Sequence, residues 1–257
     1  VSRVHADGER VLDAAVTLDR AELALKPLHW RKPPGRPGSA AATVRLRAGG
    51  GPKLEAFSLS AGGGDTPRLK TAGSAAFARD GAFKRATFDH ITLGETALDG
   101  VEVRDHGERW SVRVGGGTLD ARPWLNDGDP VTDTAGGGDT GGGPALTVAV
   151  APLDRVIVGD GRYLAGVSLN ARRTEAGSWR ALRVNAEVPP RFARDDRAPG
   201  GIAGYYRPGT DGRQTARLTV DNLGATLRAL DVADRLRGGK LTFDGKGRAP
   251  DPGSPID

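Results

Sequence analysis

The sequence contains no cysteine and no methionine, and aromatic residues make up only 5% of it. The absence of cysteine excludes disulfide scaffolds, thiol catalysis and cysteine-based zinc sites. Because Val1 is not a methionine, we expect the sequence to be a piece of a longer protein or a processed chain. No apolar run reaches the roughly 18 residues that a membrane-spanning helix needs.

Glycine and charged residues are abundant instead. The 257 residues include 39 Gly and 17 Pro, while hydrophobic residues reach 37%. The formal net charge is +5, but basic residues alternate with Asp along most of the chain and aromatic residues rarely lie among them. Nucleic-acid-binding proteins show a basic patch or stripe. We therefore exclude nucleic acid as a partner and interpret the charge as a solvated outer face.

Short alternating runs predict β-strands. In Val101–Val103 and Leu218–Val220, every second residue is apolar. Successive side chains of a strand point to opposite faces, so each run has one apolar and one polar face. This pattern is typical of antiparallel sheets with one wet face. Asp-Gly pairs such as Asp80-Gly81 and Asp99-Gly100 favour hairpin turns between the strands.

An internal repeat joins Phe88–Val103 to Leu153–Leu169. Each copy has a strand, a glycine turn, a leucine, a second glycine and a returning strand, and then reaches a tryptophan, Trp110 or Trp179. One β unit cannot bury its apolar face alone, so repeated units are expected to stack. The predicted fold class is therefore mostly β: an elongated, antiparallel, repeat-built curled sheet (a β-groove) with one or two short helices.

One helix is predicted after Asp221. Asp221 or Asn222 can cap its start, and Gly238-Gly239 can end it. Apolar residues recur at helical spacing, namely Leu223, Leu227, Leu230, Val232 or Ala233, and Leu236. We expect this stripe to be buried across the end of the sheet.

Breaks in the pattern divide the chain into segments. They are an N-terminal β segment (1–70) with a Pro/Gly-rich insertion, a first β repeat unit (71–125), a Gly-rich flexible linker (126–144), a second β repeat unit (145–190), a polar loop (191–212), a strand–helix–strand unit (213–250) and a tail (251–257).

Three segments resemble the C-terminal repeat region of the AsmA-like family of bacterial envelope proteins. Leu93–Gly100 is similar to that family's "strand, Gly, x, Thr, x, Leu, x, Gly" hairpin. Gly117–Leu125 is similar to its strand ending in an Asp-x-x-Pro turn, and Leu218–Gly247 to its Leu-rich helix followed by an Arg-Gly-Gly strand. The resemblance covers roughly residues 75–250.

The resemblance implies a periplasmic protein whose full-length form is anchored in the inner membrane through parts outside this sequence. It implies a hydrophobic groove that conducts phospholipid or other acyl lipid between the inner and outer membranes. An acyl chain in water costs about 0.8 kcal/mol per CH₂, and a continuous apolar channel removes that barrier without bond chemistry. We therefore predict no enzymatic activity, no cofactor and no metal.

The residues predicted to line the groove are the apolar members of the alternating strands. They are Ile91, Leu93, Val101, Val103, Val112, Val114, Val156, Val158, Val167, Leu169, Leu182, Val184, Leu218, Val220, Leu241 and Phe243. Alternation alone does not separate a groove from a closed hydrophobic core, so a core role stays open for each of them.

Two other functions stay open. An envelope scaffold that aids outer-membrane protein assembly would bind protein partners at a strand edge by β-augmentation, without lipid. A polysaccharide-acting enzyme would need a cleft with two carboxylates at catalytic separation.

Sequence signatures of other chemistry are absent. His5, His29, His90 and His106 lack metal-ligand spacing. The acidic stretch 126–133 departs from the order of ligands in an EF-hand calcium loop. No Gly-Lys-Ser or Gly-Lys-Thr follows the Gly-rich stretches, and no Gly-x-Ser-x-Gly nucleophile turn occurs.

Overall fold

The computed structural model describes residues 2–4, 9–25, 28–47, 50–126, 143–193, 200–208 and 213–247. The chain divides into two compact units, unit 1 (Val1–Gly141) and unit 2 (Gly142–Asp257). The division falls inside the segment predicted as a Gly-rich linker, and residues 127–142 of that segment lie outside the described residues. The predicted tail also lies outside them.

Unit 1 contains an antiparallel sheet and a separate hairpin. In chain order its elements are β1 (Ser2–Val4), β2 (Arg10–Thr17), β3 (Leu23–Leu25), β4 (Trp30–Lys32), β5 (Gly38–Leu46), β6 (Lys53–Gly63), β7 (Thr66–Phe77), β8 (Phe83–Leu93), β9 (Thr96–Asp105), β10 (Arg109–Val114), β11 (Gly116–Asp120) and the helix α1 (Arg122–Asn126). The strands β3 and β4 form the hairpin, the others pair in chain order from β1 to β10, and β11 pairs with β9.

Unit 2 contains antiparallel strands and a short helix. Its elements are β12 (Ala145–Leu153), β13 (Arg155–Gly159), β14 (Arg162–Arg173), β15 (Trp179–Glu187), a 3₁₀ turn (Pro190–Phe192), β16 (Gly201–Pro208), β17 (Gln214–Val220), the helix α2 (Leu223–Ala229) and β18 (Leu241–Gly247). The sheet order is β12-β14-β15-β16-β17-β18, and β13 also pairs with β14. The prediction of a mostly β, antiparallel fold with short helices is confirmed.

The repeat is visible in the two returning strands, β9 and β14. Each holds a glycine in the left-handed region, Gly100 at φ 58° and Gly166 at φ 56°. Before this glycine β9 pairs with β11 and β14 with β13; after it they pair with β10 and β12. Glycine reaches this conformation without the steric cost that a Cβ brings. The second glycine of each copy therefore marks the point where the strand changes partner.

The predicted polar loop at 191–212 is wrong in its second half, where β16 occupies Gly201–Pro208. Glycines made this stretch look like a loop, but Gly204 lies within the strand, where a Cβ would come 3.2 Å from Cγ1 of Val184. The strand pairs with β15 and β17 on its two sides.

The predicted length of the helix is also wrong. Asn222 caps α2 as expected, accepting a hydrogen bond from the Ala225 N–H at 3.0 Å. The helix ends at Ala229, and Asp231 takes φ 61°. Its buried residues are mostly small: Gly224, Ala225, Thr226, Arg228 and Ala229. The expected apolar stripe is not buried throughout, since Leu230, Val232 and Leu236 are exposed.

Small residues face inward on α2 because the following chain folds back against the helix. The N–H groups of Leu223 and Gly224 donate to the carbonyl oxygens of Gly239 and Gly238. These two donors belong to the first turn, where a helix has no partners of its own for them. A Cβ on Gly224 would lie 2.5 Å from the Leu236 carbonyl oxygen, so a larger residue would block this close contact.

Candidate functional site

The sheet of unit 1 has one face built from cross-strand rows of apolar residues. Residues directly opposite each other in an antiparallel pair lie on the same face, so the register identifies each row. The first row, from β2 to β10, is Leu12, Val44, Leu54, Ala75, Ala86, Val103 and Val112. The second is Ala14, Ala42, Phe57, Gly73, Phe88 and Val101, and the third is Val16, Ala40, Leu59, Thr71, Ile91 and Leu98.

Thr71 is the one polar residue in these three rows, and its hydroxyl is satisfied locally. It donates to the His90 carbonyl oxygen at 2.9 Å. The rows therefore present hydrocarbon without an unsatisfied hydroxyl, and we call them the apolar face of unit 1.

Unit 2 has an apolar face of the same kind. One row, from β12 to β18, is Val150, Leu169, Val184, Gly204, Leu218 and Phe243. Its neighbour is Val148, Ala171, Leu182, Tyr206, Ala216 and Gly245. A shorter row is Ala186, Ile202, Val220 and Leu241.

The residues predicted from sequence lie on these faces. In unit 1, Leu93 pairs with Leu69 beside the third row, and Val114 follows Val112 two residues along β10. In unit 2, Val167 pairs with Leu153, Val156 pairs with Leu164, and Val158 follows Val156 along β13. The other predicted residues are members of the rows given above. Their role in binding lipid stays a prediction.

Sequence reasoning missed the part of the face that the first strands supply. Residues 1–70 read only as generic strands, yet β2 contributes Leu12 and Val16, and β6 contributes Phe57 and Leu59. Alternation in β2 and β5 is masked by alanines on both faces, as in Ala40–Ala42. Only the pairing register reveals which alanines join the rows.

Solvent reaches much of both apolar faces. Leu12 and Val16 on β2 are 42% and 52% exposed, and Phe243 on β18 is 53% exposed. Val101 and Val220 are buried, and most other row members are half-buried. Large apolar side chains of a completed core are normally fully buried. The faces are thus intermediate between a closed core and an open surface.

The hairpin of β3 and β4 covers one end of the face in unit 1. Trp30 forms a buried cluster with Ala61 and Leu69, against which Leu59 and Leu93 also pack. The Trp30 indole N–H donates to the Pro67 carbonyl oxygen at 2.7 Å. The hairpin therefore covers the apolar face next to the third row, at Leu69 and Leu93.

Lys32 fixes this cap. Its side chain is fully buried, and Nζ donates to the carbonyl oxygens of Leu18 and Ala21 at 2.9 and 2.8 Å, with Pro33 at 3.3 Å. A buried charge is costly unless hydrogen bonds satisfy it. Here backbone carbonyls supply them, and the ammonium joins the loop after β2 to the hairpin.

In unit 2 the helix α2 covers one end of the apolar face. Val188, Ala225 and Ala229 are completely buried, with Leu164 and Ile202 packed against them. Arg228 has a role like that of Lys32: it is 5% exposed and donates to the carbonyl oxygens of Phe192 and Leu236 at 2.8 and 2.7 Å. Each unit therefore has a cap held by a buried cation bound to carbonyls.

Ion pairs concentrate away from the apolar rows. Glu9 bridges Arg45 and Arg47 at 2.6 and 2.5 Å, and Arg45 also binds Glu55 at 2.6 Å. The hydrogen bond from Arg47 lowers the pKa of Glu9, and the hydrogen bond from Arg45 lowers the pKa of Glu55. The same two acids raise the pKa of Arg45 above its ordinary value.

The carboxyl groups of Glu9, Glu55, Glu102 and Asp120 all have pKa values below their ordinary values. The Arg122 side chain lowers the pKa of Asp120 by hydrogen bonding. Its Nε donates to Oδ1 of Asp120 at 2.8 Å. A glycosidase acid needs a raised pKa, which is the opposite direction. Glu9, Glu55 and Asp120 are each held in an ion pair with arginine.

The three described histidines have different surroundings. His90 is exposed, His29 lies edge-on to Trp124 at 5.8 Å between ring centroids, and His106 hydrogen-bonds Ser111 at 3.0 Å. His5 and the acidic stretch 127–133 lie outside the described residues. Within the described ranges, no group of three His, Asp or Glu side chains could hold a metal ion. Across the same ranges, no helix has the length and apolarity to cross a bilayer.

Comparisons of the chain with models of protein families, with curated proteins and with solved structures find no match. The geometry and chemistry of the two apolar faces are therefore the basis for assigning a function.

Proposed function

We propose that the apolar faces bind the acyl chains of lipid, and that the chain belongs to a protein that moves lipid. The observation that carries the proposal is the set of apolar rows, which cross the paired strands β2-β5-β6-β7-β8-β9 of unit 1 and β12-β14-β15-β16-β17-β18 of unit 2. An alkyl chain has no hydrogen-bonding groups, so a surface of Val, Leu, Ala and Phe can bind it through apolar contacts alone.

The dimensions suit an acyl chain. Neighbouring strands lie about 4.8 Å apart, so the first row of unit 1, from β2 to β10, extends roughly 29 Å. The hydrocarbon core of a bilayer is about 30 Å thick, so one acyl chain spans roughly 15 Å. A single row is long enough to shelter one chain over its whole length. Each CH₂ that leaves water gains about 0.8 kcal/mol.

The resemblance to AsmA-like envelope proteins supports the same function. It implies a periplasmic setting, in which lipid crosses an aqueous space between two membranes. The mechanism would be passive: acyl chains slide along the apolar rows while the opposite, polar face keeps the protein hydrated. No residue acts as a catalyst in this mechanism.

The test is lipid extraction and mass spectrometry on protein purified without detergent from a bacterial host. The variant Leu12→Asp, Val16→Asp, Phe243→Asp places charge at exposed points of both apolar faces. The control Ala15→Asp, Thr17→Asp, Thr242→Asp adds equal charge at exposed residues on the opposite faces. We expect phospholipid with wild type and control, and at least a several-fold loss with the variant.

The substituted residues of the variant are exposed, so that a loss of lipid can be told apart from unfolding. Val101 is only 7% exposed, so a charge there would unfold the sheet whether or not lipid binds. Thermal melts of both triple variants establish that they are folded. A folded wild-type protein that carries no lipid, or equal lipid on variant and control, would contradict the proposal and favour a scaffold that binds protein at a strand edge.

A further inference from the structure

The polar face of the sheet in unit 2, opposite the apolar rows, holds a groove between two rows of side chains. One wall is the row Thr147, Arg172, Ala181 and Arg207, and the other contains Asn170, Arg183 and Tyr205. The intervening residues of the same strands, such as Leu182, point to the apolar face and supply only backbone to the floor. The groove has a volume of about 350 Å³.

Three arginines converge on the small residue Ala181. Arg172 is directly opposite Ala181 on β14, and Arg183 follows it two residues along β15 on the same face. The pairing of Leu182 with Tyr206 places Arg207 on the other neighbouring strand, in line with Ala181. Because Ala181 has only a methyl group, no long side chain occupies the position between Arg172 and Arg207 in this row.

Among the described residues, these arginines have no acidic partner. Arg217, on the same face, pairs with Asp244 at 3.2 Å, and Arg45 and Arg122 are bound by carboxylates as well. Within the described part of the chain, no carboxylate lies within ion-pair distance of Arg172, Arg183 or Arg207. Like charges gathered on one surface repel each other, and a bound anion would remove this repulsion.

Tyr205 orients one of the three. The guanidinium carbon of Arg207 lies 5.0 Å from the centroid of the Tyr205 ring, a cation–π distance. This contact holds the Arg207 guanidinium beside the groove, and the Tyr205 phenol adds a hydroxyl donor to the opposite wall.

The corresponding groove of unit 1 differs in charge. Its walls are formed by Asp13, Thr43 and Ala56 on one side and by Ala15, Ala41 and Ser58 on the other. It contains no arginine, and its Asp13 accepts a hydrogen bond from the Thr43 hydroxyl at 2.8 Å. Clustered unpaired arginine is therefore a property of the groove in unit 2 and not of the fold in general.

We propose that the groove around Ala181 binds a phosphate oxyanion, with Arg172, Arg183 and Arg207 as its ligands. Arginine suits this role because its planar fork donates two parallel hydrogen bonds to phosphate. A groove of this size accepts one or two phosphate groups. The proposal does not depend on lipid binding by the apolar face, since the site uses side chains of the opposite face.

The shared chemistry, a phosphate group, has two sources: a small soluble phosphate compound or the headgroup of an anionic phospholipid. Calorimetric titration with inorganic pyrophosphate at low ionic strength probes the first. Co-sedimentation with phosphatidylcholine vesicles, with and without phosphatidylglycerol, probes the second. The variants are Arg183→Gln and Arg207→Gln, with Arg217→Gln as a control that removes one equal charge from the same face.

We expect pyrophosphate to bind, and each of the two variants to weaken binding about tenfold or more, as loss of a charge-assisted hydrogen bond does. Arg217→Gln should change it less than twofold. If the two variants also release the protein from phosphatidylglycerol vesicles, and pyrophosphate competes, the source is a headgroup; binding of pyrophosphate alone identifies a soluble compound. Binding to neither probe, or equal loss in all three variants, would overturn the site.

Discussion

At the residue scale, two buried cations determine how the caps are attached. Lys32 and Arg228 bind backbone carbonyls and no carboxylate among the described residues. Both side chains therefore donate hydrogen bonds to backbone carbonyl oxygens of irregular segments of the chain. This arrangement orders irregular backbone, which a loop buried under a cap requires.

Lys32→Met should destabilise unit 1 by about 1–3 kcal/mol, since it removes the Nζ donor from the Ala21 carbonyl and from the Leu18 carbonyl, which keeps only the Ala21 N–H. Methionine keeps the length of the side chain and so removes mainly the hydrogen bonds. Chemical denaturation followed by Trp fluorescence measures the change. Lys53→Met, at an exposed residue of β6, is the matched control. Equal midpoints for the two variants would show that the carbonyl cage is not stabilising.

The carboxylates bound to arginine predict a dependence of stability on pH. Glu9 and Glu55 have folded-state pKa values below their ordinary 4.5, so the folded state binds protons more weakly than the unfolded state. Their stabilisation is present above about pH 4.5 and is lost as pH falls through the lowered folded-state pKa. Asp120 contributes in the same direction.

Denaturation curves between pH 7 and pH 2.5 test this dependence. Arg45→Gln removes a hydrogen-bond partner of both Glu9 and Glu55. It should lower stability at neutral pH and make the loss on acidification shallower. An acid limb that is unchanged in Arg45→Gln would refute the assignment to these two acids.

At the scale of single elements, β14 changes its pairing partner at Gly166, and we expect glycine to be needed there for the backbone conformation. A Cβ on Gly166 would meet only the Glu187 side chain, at 3.6 Å, so space is not the obstacle. The obstacle is φ 56°, which costs a residue with a Cβ about 1–2 kcal/mol. Gly166→Ala should lower stability by that amount.

Gly159→Ala is the control for this substitution, because its Cβ would make only ordinary contact with Arg162, at 3.6 Å, and its φ is not in the left-handed region. The control should leave the denaturation midpoint nearly unchanged. If both variants are equally stable, the left-handed conformation at Gly166 is not a constraint on the fold.

The same elements show what the sequence could and could not predict. Alternation identified the strands around Val101 and Leu218, and the repeat identified the paired glycines Gly100 and Gly166. In the second copy the repeat aligns Gly159 with Gly94, whereas the left-handed turn glycine is Gly161, at φ 63°. Gly159 and Gly161 lie in the same turn, so the sequence does not show which of them is left-handed. Only the backbone φ angle shows it.

The failures have physical causes as well. Helical spacing of Leu223, Leu227 and Leu230 predicted an amphipathic helix with a buried leucine stripe, but Ala225 and Ala229 are the buried residues. Close approach of the chain at Gly238 favours small residues, and spacing alone carries no information about that neighbour. Such an override of local pattern by packing is expected for a short helix.

At the scale of the whole molecule, both units have the same plan. Each has an antiparallel sheet with one face of apolar rows, a cap over one end of that face, and polar side chains on the other face. None of the residues in the apolar rows is charged, so the charges of the described strands lie apart from those rows. A protein with this division can remain hydrated while it offers an apolar path, which is what the proposed lipid function requires.

The absence of cysteine allows the central claim to be tested with one label per molecule. A fluorescent bimane group on Val16→Cys reports from the apolar face, and on Thr17→Cys from the adjacent residue on the polar face. The two proteins are mixed with phospholipid whose acyl chains are brominated, because bromine quenches only a nearby fluorophore. The account predicts strong quenching at position 16 and little at position 17. Equal quenching at both positions, or none at either, would contradict an apolar face that holds acyl chains.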